Sequence, residues 1–248
     1  MSDRVPATPG FWVALDAMGV LYRQRGISAL LVGLARARGV MVTESAARDA
    51  YRQASRGLLD APSLWQTLGV PPGETPGLDA ELVAGRSLTP GARGFLADMR
   101  AEGIGVGCIT NDLASWSAAA RRVNKLEEDV EPWVVSAEVG VRKPGREIYE
   151  AFVAASGCEP ARCLFVDDTV ENLEAARRFG FQTVWFGADP PGGRLGTLGS
   201  RTGSRAGSHD GTAGHRRVGS FEELAACITP YLDRSEQNDQ PEQLEQEG

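Results

Sequence analysis

The chain has 248 residues, of which 42% are hydrophobic and 24% charged. A chain of that length buries about 70–75% of its unfolded surface, so neither disulfides nor a structural metal is needed to fold it. The net charge of −7 argues against a nucleic-acid partner, and no apolar run approaches the roughly 20 residues of a membrane helix.

The first ten residues, MSDRVPATPG, lack the basic segment followed by an apolar one that marks a signal peptide, and a cytoplasmic location is expected. Short apolar runs at Phe11–Leu15, Ile104–Ile109, Cys163–Val166 and Thr183–Phe186, with a weaker one at Trp133–Val135, read as buried parallel strands. Helical patterns separate them, which is the alternation of an α/β fold with a Rossmann-like parallel sheet. The region 22–88 breaks that alternation. It reads as helices only, at Ile27–Arg38, Thr43–Arg56, Ser63–Leu68 and Leu78–Ala84, with Pro71, Pro72, Gly73 and Pro76 in a loop. A helical block placed between the first strand and the resumption of the sheet is expected to be an inserted cap. Thr89-Pro90 predicts the start of the next helix, running to Gly103, and Leu113–Val123 predicts another. Pro144 predicts one ending near Gly157, and further helices are expected at Val170–Phe179 and Phe221–Tyr231.

Residues 191–217 hold eight glycines and five arginines against one aspartate, and are expected to form a mobile loop without a core. Residues 234–248 hold five acids and one arginine, and are expected to be a disordered tail. The expected division is therefore a core of 1–21 and 89–233, and a cap of 22–88.

Both histidines, His209 and His215, fall in the glycine-rich stretch, so an ordered Ser-His-Asp triad or histidine metal site is not expected. The four cysteines have no CxxC spacing, and Cys108, Cys163 and Cys227 lie in apolar runs as small hydrophobes. Chemistry is left to carboxylates, hydroxyls and lysine. In an open parallel sheet, ligands bind beyond the carboxyl ends of the strands. Those ends carry Asp16, Thr110-Asn111 and Asp167-Asp168, with Lys143 at a loop–helix junction. Each taken singly has a structural reading: a turn former, a helix cap or a solvated charge. Together they place three carboxylates in one site, where they repel unless a cation lies among them. Hard oxygen ligands with few protein donors suit Mg²⁺.

These residues give the chain a resemblance to the haloacid dehalogenase superfamily of hydrolases. Four segments carry it, in the order and at the spacing usual in that family. They are Trp12-Val-Ala-Leu-Asp16-Ala-Met18-Gly19-Val20-Leu21, then Ile109-Thr110-Asn111-Asp112, then Gly140-Val-Arg-Lys143-Pro144, and last Phe165-Val-Asp167-Asp168-Thr-Val-Glu-Asn172. The resemblance implies that Asp16 is a nucleophile forming an aspartyl intermediate, and that Thr110 and the Asn111 backbone hold an oxygen of the transferring group. It implies that Lys143 neutralises charge, that Asp16, the Met18 carbonyl, Asp167 and Asp168 bind Mg²⁺, and that Asn172 orients the acids. Met18 and Gly19 border the substrate, and the segment 22–88 is the cap that closes over a small molecule.

Phosphatases of the family usually carry a second Asp two residues after the first, as general acid and base. Here that position is Met18, whose thioether cannot transfer a proton. Three readings follow: a Mg²⁺-dependent phosphohydrolase lacking that acid, a 2-haloacid dehalogenase, whose halide needs no proton, and a catalytically weak relative that binds a phosphorylated ligand. The dehalogenase branch tends to carry serines where this chain has Asp167-Asp168, which favours the phosphohydrolase. The phosphonoacetaldehyde hydrolase branch needs a cap lysine, and residues 22–88 contain none. The expected partner is a small phosphorylated or halogenated molecule.

Overall fold

The computed structural model describes residues 9–187 and 214–228. A six-stranded parallel sheet runs through the centre, formed by β1 (Trp12–Leu15), β2 (Gly105–Thr110), β3 (Trp133–Val135), β4 (Cys163–Asp167), β5 (Gln182–Phe186) and β6 (Arg216–Val218). The strand order is β3-β2-β1-β4-β5-β6, so β1 is central and the sheet changes winding direction between β1 and β4. Leu15 lies level with Cys108 of β2 and Val166 of β4.

The near-continuous apolar strands of the sequence are explained by burial on both faces. Val13 and Leu15 of β1 join Leu164 and Val166 of β4 on one face, while Trp12, Ala14, Cys163 and Phe165 point to the other. Two glycines of β2 are required by this packing. A Cβ on Gly105 would lie 2.5 Å from the Trp12 ring, and one on Gly107 would lie 2.5 Å from the Phe152 ring. Those rings meet edge to face at 6.2 Å.

Four helices follow β1 before the sheet resumes: α1 (Ile27–Arg36), α2 (Glu44–Ala54), α3 (Ala61–Thr67) and α4 (Thr75–Ala84). Thr43 caps α2 by accepting from the Ala46 amide at 3.2 Å, and Asp60 caps α3 by accepting from the Ser63 amide at 2.8 Å. The two chain crossings into and out of this insert lie side by side. Tyr22 and Leu88 form an antiparallel bridge, the Arg23 amide donates to the Ser87 carbonyl, and the Thr89 amide donates to the Leu21 carbonyl at 2.8 Å. The remaining helices are α5 (Ala92–Ala101), α6 (Ala114–Val123), α7 (Ser136–Val139), α8 (Arg146–Ser156), α9 (Val170–Phe179) and α10 (221–228). No helix among the described residues is long and apolar enough to cross a membrane.

Several expectations are corrected. Thr89-Pro90 forms a turn rather than the start of α5: the Ala92 amide donates to the Thr89 carbonyl, and Gly91, at φ +81°, turns the chain into the helix. Pro144 likewise lies in a turn closed by the Gly145 amide on the Arg142 carbonyl at 2.7 Å, and α8 begins at Arg146. The stretch 191–217 is not one structureless loop. Its end supplies the first two residues of β6, and His215 is buried, with Nδ1 2.8 Å from the Thr183 hydroxyl and Nε2 3.3 Å from Glu174 Oε1. The fold thus does contain a histidine, directly before the edge strand β6 and against Thr183 of β5, and it does not line the cleft of the strand-end carboxylates. Residues 191–213 and 234–248, with the loop and tail expected there, lie outside the described residues, as do residues 229–231 of the helix expected at Phe221–Tyr231.

Candidate active site

The carboxyl ends of β1, β2 and β4 converge on one cleft of about 300 Å³. Asp16 follows β1 and is set by its own backbone, whose amide donates to the Val166 carbonyl at 2.8 Å. Asp16 Oδ1 accepts from the Ala17 amide at 2.8 Å and from Lys143 Nζ at 2.7 Å. The same ammonium donates to Asp167 Oδ2 at 2.8 Å and to the Ile109 carbonyl at 2.7 Å. Lys143 therefore spends its three donors bridging β1, β2 and β4. It is fixed from behind by Asn111. The Lys143 amide donates to Asn111 Oδ1 at 2.8 Å, and Asn111 Nδ2 donates to the Lys143 carbonyl at 3.0 Å.

Asp167 is fully buried behind the lysine, accepting from the Thr169 amide at 2.7 Å and from Asn172 Nδ2 at 3.1 Å. Asp168 is more open. Its Oδ2 lies 3.5 Å from Arg25 Nε of the insert. Gly19 has φ +85°, and a Cβ there would come within 2.2 Å of Asp168 Oδ2, so a glycine is what lets this carboxylate reach the site. Oxygen atoms of Asp16, Asp167 and Asp168 all lie within 4.8 Å of one another.

Burial, with Asp167 and Asp168 alongside, pushes the Asp16 carboxyl up to about 8 against the opposing pull of Lys143. Burial and the charge of Asp167 also raise Asp168, with Arg25 opposing. Burial works against the charged form of Lys143, but Asp16 and Asp167 outweigh it and hold the ammonium above its usual range. The site is thus short of positive charge, and the cost of three clustered acids points to an added cation. The donors on offer are hard oxygens, which fits Mg²⁺. The Met18 carbonyl accepts no hydrogen bond among the described residues and is free as a further oxygen donor.

Thr110 is fully buried at the end of β2 and lines the cleft, and its hydroxyl has no hydrogen-bond partner among the described residues. A buried polar atom left unsatisfied costs about 1–3 kcal/mol, which a ligand oxygen would offset.

Asp16, Met18, Thr110, Asn111, Lys143, Asp168 and Asn172 all line the cleft. Gly19 and Asp167 do not. They stand behind Asp168 and Lys143, so Gly19 shapes the site rather than touching a substrate through this cleft. Of the insert residues that could have faced a substrate, Arg25 lines the cleft, whereas Tyr22 is buried at the crossing and Trp65 is buried with its indole N–H on Asp79 at 2.7 Å. Arg23, Arg48 and Arg52 do not line it. Sequence reasoning missed Tyr51 and Arg142. The Tyr51 hydroxyl donates to the Asn111 carbonyl at 2.6 Å, which ties α2 to the residue after β2. Arg142 lies over the Tyr51 ring at 5.5 Å and donates to the Ser55 hydroxyl. Arg142 could have been found by its place beside Lys143, but a helix tyrosine such as Tyr51 carries no local mark of a site.

Comparison with known proteins gives a consistent family. The sequence profile of haloacid dehalogenase-like hydrolases matches residues 12–180. A glyceraldehyde 3-phosphate phosphatase from Pyrococcus furiosus is 31% identical over 100 residues, covering 39% of this chain and 41% of that protein. The chain thus matches about two fifths of the length of this curated relative. Two solved structures share the fold. An L-2-haloacid dehalogenase from Xanthobacter autotrophicus with chloropropionic acid covalently bound is 18% identical, with 88% of this chain and 97% of that one covered at a TM-score of 0.59. A HAD phosphatase from Thermococcus onnurineus is 17% identical, with the same coverage and a TM-score of 0.60.

Proposed function

Because this chain belongs to the haloacid dehalogenase-like hydrolases, we propose that it is a Mg²⁺-dependent phosphohydrolase of a small metabolite, acting through an aspartyl-phosphate on Asp16. The observation that carries this reading is the trio of carboxylates, Asp16, Asp167 and Asp168, within 4.8 Å of one another around a single lysine. The division into a core of 1–21 and 89–233 under a cap of 22–88 belongs to the same proposal.

Asp16 Oδ1 is held by Ala17 and Lys143, which leaves Oδ2 as the oxygen free to attack phosphorus. As the Asp16–phosphorus bond forms, the bond to the leaving oxygen breaks, and that oxygen takes the electron pair. Lys143 holds the carboxylate in line and keeps positive charge beside it. The unpartnered Thr110 hydroxyl and the Asn111 amide would donate to the phosphoryl oxygens. Asp16, Asp167, Asp168 and the Met18 carbonyl would hold Mg²⁺, which supplies charge neutralisation for the phosphoryl group. Asn172 and Thr169 fix Asp167. Water then attacks phosphorus, releasing phosphate and restoring Asp16.

The proton is the weak point. With Met18 in place of an acid, the leaving oxygen departs unprotonated, so good leaving groups such as acyl or aryl phosphates are favoured. The same feature favours the second reading, carbon–halogen hydrolysis, in which halide leaves without a proton. Against that reading, Asp167 and Asp168 would be two acids without a metal to serve. A screen of aryl phosphates, acyl phosphates and 2-haloacids with Mg²⁺ or with excess EDTA separates them. Phosphate release abolished by EDTA is expected; halide release that persists in EDTA would replace this reading with the dehalogenase.

A further inference from the structure

A second hollow, of about 660 Å³, shares Arg142 and Lys143 with the cleft. Its other side chains include Arg52 and Arg56 of the insert, and no acidic residue lines it. Arg52 lies in the last turn of α2 and Arg56 in the turn just past its end, and none of Arg52, Arg56 and Arg142 is within ion-pair distance of a carboxylate among the described residues.

The end of α2 explains part of this. The C-terminus of a helix attracts cations, so Arg52 and Arg56 have a local reason to be there. Arg142 has none. It comes from the other side, from the segment before Lys143, and is half-buried between the Tyr51 ring and Ser55. Burial, with Arg52 and Arg56 close by, lowers its pKa, so the protein bears a cost for holding this charge where it is. A guanidinium has five N–H donors in a planar fork, and Arg142 makes one side-chain hydrogen bond among the described residues, to Ser55. Arg142 lines the cleft together with Asp16 and Lys143, and with Lys143 it also lines the second hollow.

We propose that Arg142, with Arg52 and Arg56, forms a subsite for a second anionic group of the substrate, so that the enzyme acts on phosphorylated small molecules that also carry a carboxylate or a second phosphate. This inference rests on the phosphohydrolase reading of the Asp16 centre and names its substrate class. The charge distribution divides in the required way. The cleft offers carboxylates that a metal converts into a phosphoryl site, and the adjoining hollow offers cations without acids. A substrate carrying two anionic groups bridges the two, and its second group offsets the repulsion among the three arginines. A guanidinium fork recognises a carboxylate or a phosphate in bidentate fashion, whereas a neutral hydroxyl gains little from it.

The test measures binding without chemistry. Propylphosphonate and 3-phosphonopropionate match in length, and their carbon–phosphorus bond is not hydrolysed; the second adds a carboxylate. A third ligand, propane-1,3-bisphosphonate, adds a second phosphonate instead, so the two sources of the anion are compared directly. Titration calorimetry in excess Mg²⁺ is expected to show one of the doubly anionic ligands binding at least about tenfold tighter than propylphosphonate, the gain of one or two charge-assisted hydrogen bonds. That ratio is expected to fall to about two or less in Arg142→Gln. It should fall in part in the Arg52→Gln, Arg56→Gln double variant, whose positions are exposed and whose fold is not at risk, and be partly restored in Arg142→Lys. Equal affinity for all three ligands in the unaltered protein, no binding of any, or a ratio that survives in Arg142→Gln would each overturn the subsite. Phosphate release from an aryl phosphate, compared between the unaltered protein and Asp16→Asn, reports separately on the hydrolase reading. A selective subsite without turnover would sink only that reading, and turnover without selectivity only the subsite.

Discussion

Arg86 and Asp112 form a bidentate ion pair with both side chains almost wholly buried, Nη1 to Oδ2 at 2.6 Å and Nη2 to Oδ1 at 3.1 Å. Arg86 lies at the return crossing of the insert, and Asp112 follows the strand-end residues Thr110 and Asn111. The pair therefore fastens the insert to the end of β2. Removing one partner leaves a buried charge alone, at a cost of about 3–5 kcal/mol. Arg86→Met is expected to lower the midpoint of denaturant unfolding by that amount in free energy, while Arg86→Met with Asp112→Leu loses less than the sum of the single changes. A full additive loss in the double variant would show that the two residues act independently.

Gly19 gives a prediction about metal loading. A methyl group there would press on Asp168 Oδ2, and the positive φ strains any other residue. Gly19→Ala is expected to weaken Mg²⁺ binding about 10–100-fold, as loss of an outer-shell support does. Calorimetric titration of the metal reads this, with the circular dichroism of the sheet as the check on folding. Unchanged Mg²⁺ affinity would remove Asp168 from the metal site.

Met18 limits proton transfer if the phosphohydrolase reading holds. Met18→Asp is expected to raise kcat for alkyl phosphates by about 10²–10⁴-fold, the usual contribution of a general acid. Aryl phosphates with acidic leaving groups should gain far less. Equal gains across leaving groups would mean that proton donation is not what Met18 lacks.

His215 ties β6 to Thr183 and Glu174. Burial, together with Arg177, lowers its pKa below the ordinary 6.5, against the pull of Glu174. The unfolded chain then binds the proton more tightly than the folded one, so stability rises with pH from the lowered value up to about 6.5 and is lost as pH falls through that window. His215→Gln, which retains a polar side chain, is expected to flatten the stability profile there. An unchanged slope would assign the dependence to other groups.

Much of this was legible in the sequence, for a physical reason. The strands β1, β2, β4 and β5 are buried on both faces and so read as uninterrupted apolar runs, and the ligand-bearing residues follow directly from where those runs stop. Asp16, Thr110, Asn111, Lys143 and Asp168, read from the strand ends and the loop–helix junction, line one cleft with Asn172, which the resemblance supplied. The edge strand β6 was hidden because it buries one side chain, Val218, and presents Arg216 and Arg217 to solvent at the end of a glycine-rich stretch. The helix starts were misplaced at Thr89 and Pro144, where proline turns imitate helix caps. Tyr51 and Ser55 carry no local mark because their contacts depend on how α2 rests over the strand ends, whereas Arg142 is marked only by its place beside Lys143.

The central claim is that Asp16 accepts a phosphoryl group. Acid quenching during turnover of an aryl phosphate in Mg²⁺, followed by mass spectrometry of the peptide that contains Asp16, tests it most directly. A phosphoryl adduct on Asp16 is expected in the unaltered protein, absent in EDTA and absent in Asp16→Asn. Phosphate release at full rate from Asp16→Asn, or an alkyl ester on Asp16 formed from a 2-haloacid without metal, would contradict it.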